Sequence, residues 1–80
     1  MDMTVFGILD MKLGAFMKPF FMPNDGVAVR AFSEFATAAD SEISKHPEDY
    51  CLYALGKFNA EKGVFYDLEL RSLCCAADFS

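Results

Sequence analysis

The chain has 80 residues and a net charge of −5, and 54% of its residues are apolar, with nine phenylalanines among them. That length allows one domain, whose folding hides roughly 60–65% of the surface an unfolded chain exposes. Some apolar surface is therefore left over for a partner or for a second copy. The acidic balance opposes attraction to phosphate backbones and anionic membranes, and no apolar run reaches the roughly 18–20 residues that cross a bilayer.

The start, Met1-Asp2-Met3-Thr4, lacks the basic opening and long apolar stretch of a secretory signal, so synthesis and residence in a cytoplasm are expected. Val5-Phe6-Gly7-Ile8-Leu9 is a short apolar run rich in strand formers and reads as a buried strand. Asp10 and Gly14 bracket a turn. Ala15 to Phe21 reads as the second arm of a hairpin, with Pro19 at an edge or strand end because it has no N–H for the ladder. Met11, Met17 and Met22 fit two roles equally, plugging core gaps or supplying adaptable binding surface.

Asn24-Asp25 is a helix start, since either side chain can accept from the unpaired N–H groups of a first turn. Ala28, Ala31, Phe32, Phe35 and Ala39 then recur at helical spacing, with Arg30, Ser33, Glu34 and Thr37 on the opposite face. Asp40-Ser41 marks the exit. In His46-Pro47-Glu48-Asp49-Tyr50, the proline and the two acids suit one helical turn. Cys51 to Phe58 and Val64 to Leu70 form a last hairpin around Asn59-Ala60-Glu61-Lys62-Gly63, with Gly63 placed for a positive φ. On its second arm Val64, Tyr66, Leu68 and Leu70 are the expected dry face, and Phe65, Asp67, Glu69 and Arg71 the mostly wet one. The fold class is α+β, in the order β-β-α-β-β, with one helix on a four-stranded antiparallel sheet. Residues 1–80 form a single domain with its core over about 4–70, and the tail 71–80 has no legible pattern.

Little in the chain points to catalysis. His46 beside Glu48 and Asp49 could move a proton, but no nucleophile stands at a recognisable spacing, and a turn that leads Tyr50 into a strand explains the same residues. The three cysteines, Cys51, Cys74 and Cys75, do not make a disulfide framework. Reduced thiols are expected, with Cys51 a small core residue. No C-x₂₋₄-C spacing suggests zinc, and no glycine loop or nucleophile elbow suggests a cofactor. The expectation is a protein with no catalytic residue, no metal and no cofactor. Lys18, Phe20, Phe21 and Arg30 join basic and aromatic side chains in the manner of single-strand binders, although acids outnumber bases and disfavour that use.

Pro19-Phe20-Phe21, Asn24-Asp25, Ala28-Val29-Arg30-Ala31-Phe32, His46-Pro47-Glu48-Asp49-Tyr50, Leu52 and Leu55-Gly56-Lys57-Phe58 with Gly63, in this order, resemble the small nonstructural protein of gokushoviruses. These are bacteriophages of the Microviridae with single-stranded circular DNA. The resemblance runs from about Val5 to Glu69 and leaves the double-cysteine tail outside. It implies a product made in the infected cell, in the host cytoplasm, and not built into the mature virion. By analogy with better-known microviruses it implies a role in viral single-stranded DNA synthesis or packaging. The partners so implied are the phage replication protein, the procapsid or a host replication protein, and a homodimer is possible on area grounds. An inhibitor of a host enzyme or defence factor is the alternative, and a weak single-stranded DNA-binding module a further one. The residues expected to serve interaction are those the fold does not need: Lys18 with Phe20 and Phe21, Arg30 and Glu34 on the polar helix face, and His46, Glu48 and Asp49 in a distinctive loop.

Overall fold

Two long strands run side by side through the centre of the molecule. In a computed structural model, which describes residues 1–79, β1 (Asp2–Asp10) pairs antiparallel with β4 (Tyr50–Asn59) from Asp2 opposite Asn59 to Asp10 opposite Tyr50. Each strand then folds back on itself by the same turn. Asp10 Oδ1 accepts from the amides of Lys12 and Leu13, both at 3.1 Å. Asn59 Oδ1 accepts likewise from Glu61 and Lys62, both at 3.0 Å. In both turns the fifth residue is a glycine at positive φ, Gly14 at 77° and Gly63 at 67°, a backbone that a Cβ disfavours. Its amide donates to the first residue's carbonyl at 2.8 Å in each case.

Each returning arm is broken in the middle. The first is β2 (Ala15–Phe16) and β3 (Phe20–Met22), both on β1, and the second is β5 (Val64–Tyr66) and β6 (Arg71–Cys75), both on β4. The six strands therefore fill four lanes of one antiparallel sheet. The first break falls at Pro19, which has no N–H to give. The second begins at Asp67, whose φ of 49° turns the chain out of the pleat. The expected dry face of the last arm is thereby overturned: Val64, Leu68 and Leu70 are 50%, 73% and 59% exposed, and of that set Tyr66 alone is half-buried. The tail, unassigned from sequence, supplies β6 and a 3₁₀ turn, Ala76–Phe79.

Helix α1 (Asp25–Thr37) lies on one side of the sheet. Asn24 caps it, its side chain accepting from Val27 N at 2.9 Å. A second, one-turn helix α2 (Glu42–Lys45) is capped by Ser41, and a 3₁₀ turn (Pro47–Asp49) leads into β4. The buried stripe of α1 is Ala28, Phe32 and Ala36. Phe35 is 54% exposed, and Ala39 falls beyond the helix end, so the stripe lies about one residue round the helix from the sequence expectation. The core joins that stripe to Phe6 and Ile8 of β1, Leu52 and Ala54 of β4, Ile43 and Ala76. Phe6, Phe32 and Leu52 are its largest fully buried side chains.

The thiols also depart from expectation. Cys51 and Cys75 are disulfide-bonded, and Cys74 is the free cysteine. The reason is register: β6 places Cys75 directly opposite Cys51, although 24 residues separate them in sequence. Cys74, one position along, points to the helix side and packs on the core. Burial, and to a lesser degree Asp78, pushes its thiol pKa up, which disfavours the thiolate.

Candidate functional site

A β-strand sends alternate side chains to opposite faces, so the register assigns every strand residue to one side. Phe6, Ile8, Phe20, Met22, Leu52 and Ala54 face α1. Their neighbours Val5, Leu9, Phe16, Phe21, Cys51, Tyr53 and Phe58, with Phe65 across from Phe58, face the other way. No helix among the described residues lies on that second face, although Val5 and Cys51 on it are buried by their neighbours. Phe16 and Phe21 are each 41% exposed there, and Phe65 is 51% exposed.

The rings on this face are in mutual contact. Phe58 and Phe65 have centroids 4.8 Å apart, and Phe21 lies 5.5 Å from Phe58 and 6.2 Å from Phe65. At the other end Phe16 meets Tyr53 edge-on at 5.5 Å. Gly7 lies under this second group: a Cβ on it would stand 3.0 Å from Leu55 Cδ1 and 3.1 Å from Phe16 Cδ1. The absent side chain thus lets the two apolar groups lie low against the sheet. The Cys51–Cys75 bond is on the same face by register. No strand residue pointing this way carries a charge, since Asp2, Asp10, Lys57 and Arg71 all point to the helix side. Arg71 there reaches Asp25 of α1 at 3.2 Å.

A second apolar surface lies at the edge of the helix. Ile8, Phe20, Met22, Ala31, Phe32 and Phe35 line a groove of about 300 Å³. Phe20 stacks on Phe6 at 5.8 Å at its base.

The residues expected to serve interaction do not converge. Phe20 and Phe21, adjacent in β3, are parted by the pleat: Phe20 goes to the helix-side groove and Phe21 to the open face. Lys18 is exposed in the break between β2 and β3. Arg30 and Glu34 are exposed on α1, next in sequence to the groove-lining Ala31 and Phe35. His46, Glu48 and Asp49 do come together, with ligand atoms within 4.8 Å of one another. Two of the three are exposed, and acids cluster this way on surfaces without an ion, so they carry no metal assignment. Met11 N donates to Asp49 O at 2.8 Å, which ties this loop to the first hairpin turn. Tyr50 nearby has its pKa raised by burial and then by Asp10, Glu42 and Asp49.

Sequence reasoning missed Phe16, Tyr53, Phe58 and Phe65 as site residues. A signal was present in β4, where Cys51, Tyr53 and Leu55 are as apolar as Leu52 and Ala54 between them. A strand apolar on both parities needs cover on both sides, and the chain has one long helix.

A model of the Phage ORF5 protein family matches residues 3–79. The chain belongs to that family. It is thus a phage protein, and the match takes in β6 and the final 3₁₀ turn, beyond the segment over which the sequence resemblance was noted. No curated protein and no solved structure matches the chain. No helix among the described residues of this ORF5-family protein is long and apolar enough to cross a membrane.

Proposed function

We propose that this ORF5-family protein is a non-catalytic accessory protein of a gokushovirus, a phage of the Microviridae. In this reading it acts in the host bacterial cytoplasm, is left out of the mature virion, and modulates viral single-stranded DNA synthesis or packaging through protein contacts. The observation that supports contact as its mode of action is the sheet face away from α1, which exposes aromatic rings and carries no charged strand residue. Large exposed apolar patches on small proteins mark association surfaces. The resemblance to gokushovirus nonstructural proteins supplies the process. The phage replication protein, the procapsid or a host replication protein is the partner class it implies.

The test is affinity capture of the tagged chain from infected cells with nuclease treatment, comparing wild type with Phe65→Asp. Recovery of a replication or procapsid protein, lost in the variant, is the expected result. Recovery of one host factor in uninfected cells as well would replace the reading with a host-directed inhibitor.

A second reading has one observation in its favour. Exposed aromatic rings on a sheet are also platforms on which single-stranded bases stack. Such binders add cations along the backbone track, whereas the strand residues of this face are uncharged. Lys18, exposed in the break between β2 and β3, is a single charge. Anisotropy titration with oligonucleotides at low salt separates the two: absence of binding retires the nucleic-acid reading.

A further inference from the structure

The proposed function leaves open what rests on the uncovered sheet face. We propose that its occupant is a second copy of the same chain, giving a symmetric dimer whose two sheets pack face to face. This inference rests on the reading of that face as a protein-binding surface and names the protein.

Charge is the first argument. Each chain carries a net charge of −5, so two copies repel unless their charges are kept apart. On this face they are. The strand residues pointing outward are apolar or neutral, while Asp2, Asp10, Lys57 and Arg71 point to the helix side. A basic or acidic partner would gain nothing from a neutral face. A copy with the same neutral face meets it without an unpaired charge at the centre of the contact.

Area is the second. β1 has nine residues, about 30 Å at ~3.4 Å per residue, and four lanes at ~4.8 Å add about 19 Å of width. The flat footprint is therefore about 570 Å², and side-chain relief raises it toward the ~800 Å² per partner of a standard stable interface. The third argument is shape. Ring clusters at both ends of the face, the second lying low over Gly7, suit the interdigitated packing of two sheets about 10 Å apart. Such a dimer turns both helices outward, so the groove beside Phe35 and the exposed Arg30 and Glu34 are presented by the pair to a phage or host protein, whose capture then falls with the dimer in Phe65→Asp.

Sedimentation equilibrium of the intact chain over a range of concentrations tests this. The expected mass is twice 8.9 kDa. Phe21→Asp and Phe65→Asp should each raise the dissociation constant about thirtyfold or more, as loss of a central aromatic anchor does, while Val27→Asp on the exposed helix side leaves it unchanged. Circular dichroism reports whether the variants fold. Where one does not, isotope-filtered NOEs in the wild-type dimer replace it, and cross-copy contacts from the Phe21 and Phe65 rings are expected. A wild-type monomer at every concentration, or a dimer indifferent to both aspartates and lacking those contacts, overturns the proposal. In that event the capture experiment still decides the broader reading. If capture of a partner depends on Phe65, the face binds a different protein; if it does not, both inferences fall.

Discussion

The two faces of the sheet are built from neighbouring residues of the same strands, yet they have opposite fates. Phe6, Ile8, Leu52 and Ala54 are sealed under α1, at 0–7% exposure. Phe16, Phe21 and Phe65 on the reverse face remain 41–51% exposed. Apolar content does not distinguish the faces, and the charged strand residues all lie on the helix side. What distinguishes them is supply: the described residues include one long helix, of 13 residues, and it covers one side. The helix face therefore accounts for folding, and the other face is surplus that association can use.

The sharpest way to break this contrast is to truncate one ring on each face. Phe32, 1% exposed, fills the space between α1 and the sheet, so Phe32→Ala should cost about 3–5 kcal/mol in transfer and cavity energy. Phe65→Ala in dilute protein should cost under about 1 kcal/mol, because the ring is half in water already. Urea denaturation of both variants gives the comparison. Equal losses would mean that the open face is part of the folding core.

The disulfide is the next largest lever and lies on the open side. Closing a loop of 24 residues restricts the unfolded chain by about 3.5 kcal/mol in the loop-entropy account. Reduction, or Cys51→Ser, should lower unfolding stability by that order while leaving the strand pairing in place. Such a bond does not persist in a reducing cytoplasm, which is where the proposed function sets the protein. Denaturation with and without reductant thus measures how much of the fold stands on strand register alone. Retention of a cooperative transition after reduction is the expected result.

Much of this architecture was legible in the sequence, and the limits have physical causes. The Asn24 cap, the helix after it, both glycine turns and the four lanes all follow from local rules about φ, capping and periodicity. The tail was illegible because Arg71–Cys75 becomes a strand only through long-range pairing with β4, and no local pattern encodes a partner some twenty residues away. The Cys51–Cys75 bond was hidden for the same reason. The break at Asp67 was missed because the alternation of Leu68 and Leu70 continues in sequence after the backbone has left the pleat. The open face was half-visible. Reading β1 as a buried strand was right about its apolar character, but a count of covering elements was needed to see that one side has no helix on it.

A smaller effect tests the helix-side geometry at its entry. Asn24→Ala removes the acceptor for Val27 N and should cost about 1 kcal/mol, as loss of a helix N-cap does. Asn24→Asp should recover it, since aspartate accepts the same bond and favours the helix N-terminus. Because α1 supplies most of the cover on that face, with Ile43 and Ala76 beside it, a cap lesion should lower the hydrogen-exchange protection of Phe6 and Leu52 before that of the outer strands.

The smallest effect lies at the sheet's open end, where the helix face runs out into solvent. Tyr66 of β5 donates its phenol to Asp2 Oδ2 of β1 at 2.6 Å, a bond that crosses over β4 and ties an outer lane to the centre. That hydrogen bond, with some desolvation and the charges of Asp2 and Asp67, pushes the Tyr66 pKa up to about 12 from 10.0. The folded state therefore holds this proton more tightly than the unfolded chain. Its contribution to stability is complete below pH 10 and is lost as pH rises from 10 through about 12. Asp2→Ala should bring the Tyr66 titration back toward the ordinary phenol range, as read by ultraviolet spectrophotometric titration, and should flatten the alkaline limb of the stability profile. The other tyrosines serve as internal controls. If Tyr66 titrates unchanged in the variant, the link between β5 and β1 is not made in solution. The outer lane is then held by β4 alone, and Phe65, next to Tyr66, is free to move with any partner on the opposite face.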